Sequence, residues 1–236
     1  MVNSVTTKLA ELNLEDRFLF DETMENKEAY QAAVSMDLQK TVYHTEMQKK
    51  DTGNLKKRSR YYQAQMDVSL LEPGSVDFNL LNDSCFILIA PFDLFGRGLY
   101  RYTFEGVCRE CPDLRLEDGA VKIFINTQGT NKEEFSQEFL DFMEYITAST
   151  DAVAKRSASR RIKLIHEYVR KIKASEKMGV KYMQLWEEKA LIREEGRAEM
   201  IVKSVEAMKN FGIDLQKACE GIGITVEEYR RAKEGR

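Results

Sequence analysis

A mixed β-sheet with helices on both faces, followed by a helical extension, is the fold class this sequence predicts. Three observations predict it. Residues 84–92 (SCFILIAPF) are almost wholly apolar, as expected of a central strand covered on both sides. Residues 133–148 carry Phe135, Phe139, Phe142, Met143 and Ile146 at helical spacing, a stripe made for packing on such a sheet. From residue 151 onward the apolar positions recur every three or four residues with no long loop.

The elements follow in order. Residues 14–35 read as a helix with an apolar start at Leu14, Phe18 and Leu19. Residues 37–48 alternate as strands do, with Tyr43, Thr45 and Met47 on one face and Val42, His44, Glu46 and Gln48 on the other. A polar loop around Gly53 leads to a helix over 57–71, stopped by Pro73-Gly74. Strands are predicted at 84–92, 99–105 and 120–127, with a turn at 93–98. Ile162, Ile165, Val169 and Ile172 fit either a helix packed on the domain or a short coiled-coil seam. In the tail, Asn210-Phe211-Gly212 reads as a helix stop, Asp214 as a cap and Thr225 to Glu228 as a capping box. The order predicts two parts, an α/β domain over 1–150 and a helical extension over 151–236 ending in a small helical hairpin.

Composition narrows the function classes. Apolar residues make up 43 % and charged residues 32 %, a well-solvated globular composition. The longest apolar run is far short of the roughly 20 residues of a membrane helix, and the N-terminus carries no apolar signal core. The expectation is a cytoplasmic protein without membrane attachment. Net charge is only −3, yet residues 155–181 hold ten Lys/Arg against two Glu, and residues 49–60 hold six against one Asp. Local patches of this kind bind phosphate even on an acidic chain, although a solvated helix face is the commoner meaning of any one run. Cys108 and Cys111 form a CxxC without the second ligand pair that zinc needs, and read as loop thiols in a reducing compartment.

The polar face of residues 42–48 is where chemistry could sit. Glu46 and Gln48 point the same way, and Asp37 precedes Glu46 by nine positions. A tight hairpin turning at residues 40–43 would set Asp37 nearly opposite Glu46. Opposed residues lie about 5 Å apart, near enough to share a divalent cation. Two carboxylates with waters suit Mg²⁺ or Mn²⁺. Taken alone, the pattern fits ordinary surface residues at least as well.

The surrounding words are specific. TVYHTEMQKKDTGNLKKRSRYYQAQMDVSLLEPG resembles the core of the PD-(D/E)XK nuclease-family transposases, relatives of the Rpn recombination-promoting nucleases. The resemblance runs on through CFILIAPFDLFGRGLYRYTFEGVCRECPDLRLEDGAVKIFINTQGTN and returns at YMQLWEEKALIREEGRAEM, covering roughly residues 10–200. It implies a restriction-endonuclease-like fold and a Mg²⁺-dependent endonuclease acting on double-stranded DNA, in a bacterial cytoplasm. Glu46 then matches the family glutamate, and Gln48 the residue that is lysine in the wider superfamily. Lys57, Arg58, Arg60 and Gln65 fall on the helix beside the site, as contacts to the DNA backbone. The neighbouring Tyr61, Tyr62 and Met66 are read as packing residues of that helix.

One stretch departs from the pattern. Relatives carry an extra hairpin and an aspartate-bearing strand before E-x-Q, whereas here Met36 runs straight into Asp37. Asp37 either replaces the family aspartate or is a turn residue. The alternative function is therefore a catalytically inactive DNA-binding or interaction protein that retains the nuclease fold. A homodimer through the C-terminal helices, with a seam over 155–205, is compatible with both.

Overall fold

The computed structural model describes residues 8–34, 41–70, 74 and 77–234. The chain divides into two compact units, residues 1–175 and 176–236.

The first unit is built on a four-stranded mixed sheet of β1 (Thr41–Met47), β2 (Asp83–Ala90), β3 (Arg101–Phe104) and β4 (Ala120–Asn126). Its order is β1-β2-β4-β3. β1 and β2 are parallel, as are β2 and β4, while β3 runs antiparallel to β4. α1 (Arg17–Met24) and α2 (Lys27–Val34) precede the sheet, and α3 (Leu55–Leu70) crosses from β1 to β2. α4 (Gln137–Thr147), α5 (Asp151–Arg156) and α6 (Arg160–Ala174) follow β4.

Strand alternation divides the core. On one face, Met47, Cys85, Ile87 and Ile89 pack with Leu19 and Phe20 of α1, Met143 and Ile146 of α4, and Ile162, Ile165 and Val169 of α6. On the other, Phe86, Leu88 and Phe124 pack with Leu55 and Met66 of α3. β2 is buried along all but its first residue, which is why its sequence is a continuous apolar run and not an alternating one. The three-layer arrangement agrees with the predicted mixed α/β class.

Several boundaries differ from the sequence reading, each for a local reason. The long first helix is two helices, because the Asn26 side chain accepts from the Glu28 and Ala29 N–H groups and caps a new start. Residues 41–43, expected at a hairpin turn, are extended and pair with residues 83–85, so no turn lies there. Asp37 lies outside the described residues. The division at Ser175 moves the predicted boundary from 150 and puts α5 and α6 in the first unit. Ile162, Ile165 and Val169 are buried in that unit's core, so this apolar stripe, read as either domain packing or a coiled-coil seam, packs within the unit.

The second unit consists of α7 (Glu176–Asn210), α8 (Leu215–Gly221) and α9 (Val226–Glu234). Val202, Val205, Ala218, Cys219 and Tyr229 form its own small core. α7 stops at Gly212, whose φ of 80° suits a residue without a Cβ. Asp214 accepts from Lys217 N–H at 3.1 Å. The capping box is reciprocal: Thr225 N–H donates to Glu228 Oε2 at 2.8 Å, and Glu228 N–H to Thr225 Oγ1 at 3.1 Å. Among the described residues no helix is long and apolar enough to cross a membrane.

Candidate functional site

The E-x-Q triplet ends β1 on the face covered by α3. Glu46 sits opposite Leu88 of β2, and Gln48 N–H continues the ladder to Ile89 O at 2.9 Å. β1 and β2 are parallel, so both side chains stand at the carboxyl end of a parallel pair, where open α/β sheets place their ligands. The loop after β2 reaches the same end. Lys56, at the start of α3, lies 4.8 Å over the Phe95 ring of that loop. The loop is held by Asp93, which accepts from Gly98 N–H at 2.6 Å, Phe95 N–H at 3.0 Å and the Tyr102 hydroxyl at 2.7 Å. Burial pushes the Asp93 carboxyl up, but these donors outweigh it and bring it down to about 2.

Glu46 is 4 % exposed and does not stand alone. Arg58, in the first turn of α3, forms an ion pair with Glu46 Oε1 and donates from Nη1 to Gln48 Oε1 at 3.3 Å. Gln48 in turn donates to Lys50 O at 2.8 Å. Arg17 at the start of α1 brings Nη1 to 3.7 Å from Glu46 Oε1 and Nε to 3.4 Å from Asp21. The N-terminal segment that delivers Arg17 is pinned to the end of α4: Leu14 N–H donates to Ser149 Oγ at 2.7 Å, and Ser149 N–H to Asn13 Oδ1 at 2.9 Å. The remaining Glu46 oxygen, Oε2, is buried without a hydrogen-bond partner. His44, on the same face, stacks on Tyr62 at 4.9 Å and Phe86 at 5.7 Å. Burial, and then the Arg17 charge, lower its pKa, so this imidazole is neutral at neutral pH.

The sequence-predicted residues are only partly brought together. Glu46, Gln48 and Arg58 form one contact set. Lys57 and Arg60 are exposed on α3, with no carboxylate in ion-pair range among the described residues. Gln65 is tied to the Tyr61 hydroxyl at 3.1 Å, one turn back. Tyr62 and Met66 pack inward as expected, whereas Tyr61 is largely exposed. Cys108 and Cys111 lie in the loop between β3 and β4 as free thiols. Arg17 was not legible as a site residue, because nothing local marks a first-turn arginine 29 positions away as a partner of Glu46.

No family model, no curated protein and no solved structure matches this chain.

The donor set tests the divalent ion that the resemblance implies. Mg²⁺ takes oxygen ligands, normally with at least one or two carboxylates and several waters. The described site offers Glu46, with two guanidinium groups on Oε1, while the nearby Asp21 carboxylate is engaged by Arg17. Among the described residues no three His, Cys, Asp or Glu side chains gather as a metal-ligand group. Glu46 Oε2 is one open oxygen. Among the described residues Glu46 is a carboxylate ion-paired to arginine through Oε1, and a divalent ion at Oε2 would need a further carboxylate.

Proposed function

We propose that this chain is a DNA-binding protein of the PD-(D/E)XK nuclease-family transposase type, built on a restriction-endonuclease-like fold, whose E-x-Q site grips its own arginine in place of a divalent ion. The observation that carries this reading is Arg58. It spans Glu46 and Gln48, and with Arg17 it supplies the positive charge that an ion would otherwise bring. The fold reading is supported by the parallel β1-α3-β2 crossover, with E-x-Q at the strand end and the following helix alongside. The DNA reading is supported by the exposed Lys56, Lys57 and Arg60 on α3 and by Lys50 in the preceding loop. Such cations bind the phosphate backbone without reading sequence.

A second reading, the Mg²⁺-dependent endonuclease, is favoured by the unpartnered Glu46 Oε2, an oxygen of the kind a hard cation takes. It needs Asp37, or another carboxylate, as the second ligand.

Supercoiled plasmid incubated with the protein in Mg²⁺, Mn²⁺ or EDTA separates the two. We expect salt-sensitive binding and no divalent-dependent nicking. Nicking that disappears in Glu46→Ala and in Asp37→Ala would overturn the first reading and establish the second.

A further inference from the structure

On the face of the sheet away from Glu46 lies a cavity of about 280 Å³. Its floor is Ile87 and Ile89 of β2 with Ile123 and Ile125 of β4, and its walls come from Phe20 of α1 and Phe139 and Phe142 of α4. Arg101 of β3 lines it, and also lines an adjoining, more polar cavity of about 380 Å³ that shares Ala33, Phe139 and Phe142. The space is partly open to solvent, an apolar cleft between sheet and helices whose floor belongs to the core.

Arg101 supplies the second, independent observation. Strand alternation puts it on the same side as Ile123 and Ile125, while Tyr102 and Phe104 join the aromatic cluster of the opposite face. Its guanidinium stacks 5.5 Å from the Phe135 ring centroid, which fixes its place at the rim. No carboxylate comes within ion-pair range of it among the described residues. The carboxylate of Glu138, in the adjoining cavity, is engaged instead by Arg161 at 3.4 Å and by Ser159 at 2.6 Å. An apolar chamber with one cation at its rim, unpaired among the described residues, is complementary to a molecule with an apolar tail and one negative head.

We propose that this cavity binds a small amphipathic carboxylate, with the tail on the isoleucine floor and the carboxylate on Arg101. A water takes about 30 Å³ of liquid volume, and a methylene is similar in size, so 280 Å³ holds about nine heavy atoms. That is the size of a medium-chain fatty acid. The head takes the guanidinium as a bidentate acceptor, which an alcohol cannot do. The site is independent of DNA binding, and its failure would leave the reading of the E-x-Q site untouched.

Titration calorimetry of the full chain with octanoate and, separately, with octanol tests this. Octanoate should bind at least ten-fold more tightly than octanol. Arg101→Gln should remove that preference by weakening octanoate alone, and Arg101→Lys should keep part of it. Arg101 is exposed, so its variants should fold; Ile123→Trp, which fills the chamber, should abolish binding of both probes. Equal affinity for acid and alcohol, an Arg101→Gln variant that binds octanoate normally, or no octanoate binding at all would each overturn the proposal.

Discussion

Arg58, in the first turn of α3, pairs with Glu46 and donates to Gln48, so one guanidinium spans both polar residues of the E-x-Q triplet. Helix α3 is thereby fastened to the end of β1 by charge as well as by the Leu55 and Met66 packing behind it.

Removing one partner should cost more than removing both. Arg58→Met leaves a carboxylate buried with only Arg17 at 3.7 Å, and should lower stability by about 2 to 4 kcal/mol. Glu46→Leu with Arg58→Met replaces the pair by apolar groups of similar bulk and should recover most of that loss. Urea denaturation of the two singles and the double forms the cycle. Additive losses would show that the pair does not couple.

Asp93 should make the first unit acid-sensitive in a defined window. Its carboxyl titrates at about 2 in the folded chain against 3.8 ordinarily. A depressed carboxylate contributes stability that is fully present above the ordinary value and is lost as pH falls through the folded one. Asp93→Asn should therefore melt below the wild type at pH 7, with the gap closing between about pH 4 and pH 2. Thermal melts followed by circular dichroism at pH 7, 4 and 2.5 measure it. A gap independent of pH would mean that the turn uses Asp93 for shape alone.

Ile165 of α6 is fully buried in the core of the first unit. Ile165→Ala should cost about 3 kcal/mol through lost contacts and the cavity left behind. A chain ended at residue 150, the boundary the sequence suggests, should fail to give a cooperative transition, because Met143 and Ile146 lose their cover. Cooperative unfolding of that fragment would restore the shorter domain.

Lys57 and Arg60 are exposed cations of α3, the helix that carries Arg58. If they meet phosphates, Lys57→Gln with Arg60→Gln should weaken binding to any duplex alike and lower the slope of log K against log salt by roughly two. Fluorescence anisotropy on two unrelated duplexes across a salt series reads both quantities. An unchanged slope would place the DNA elsewhere on the molecule.

Much of the architecture was legible in residue patterns that report a local environment. The unbroken apolar run of β2 gave its central position, and the alternation along β1 gave its two faces, with Tyr43, Thr45 and Met47 on one side and Glu46 on the other. The Thr225 and Glu228 box and the Gly212 stop were readable because capping is chemistry between neighbours in sequence. Glu46 and Gln48 on one face followed from the period of a strand.

Tertiary structure decided what depends on residues far apart in the chain. Apolar spacing could not tell a coiled-coil seam from packing onto the sheet, and only the burial of Ile162, Ile165 and Val169 against α1 and α4 settled α6. Side-chain direction on a strand says nothing of partners, so the sequence could show that Glu46 and Gln48 share a face but not that Arg58 and Arg17 converge on Glu46. That convergence depends on how α1 is pinned to the end of α4 and how α3 crosses β1, and both are set by packing between elements. The physical reason is the same throughout. Backbone periodicity and caps are fixed within a few residues, whereas the charge balance of a buried carboxylate is fixed by whichever groups the whole fold brings within a few ångströms.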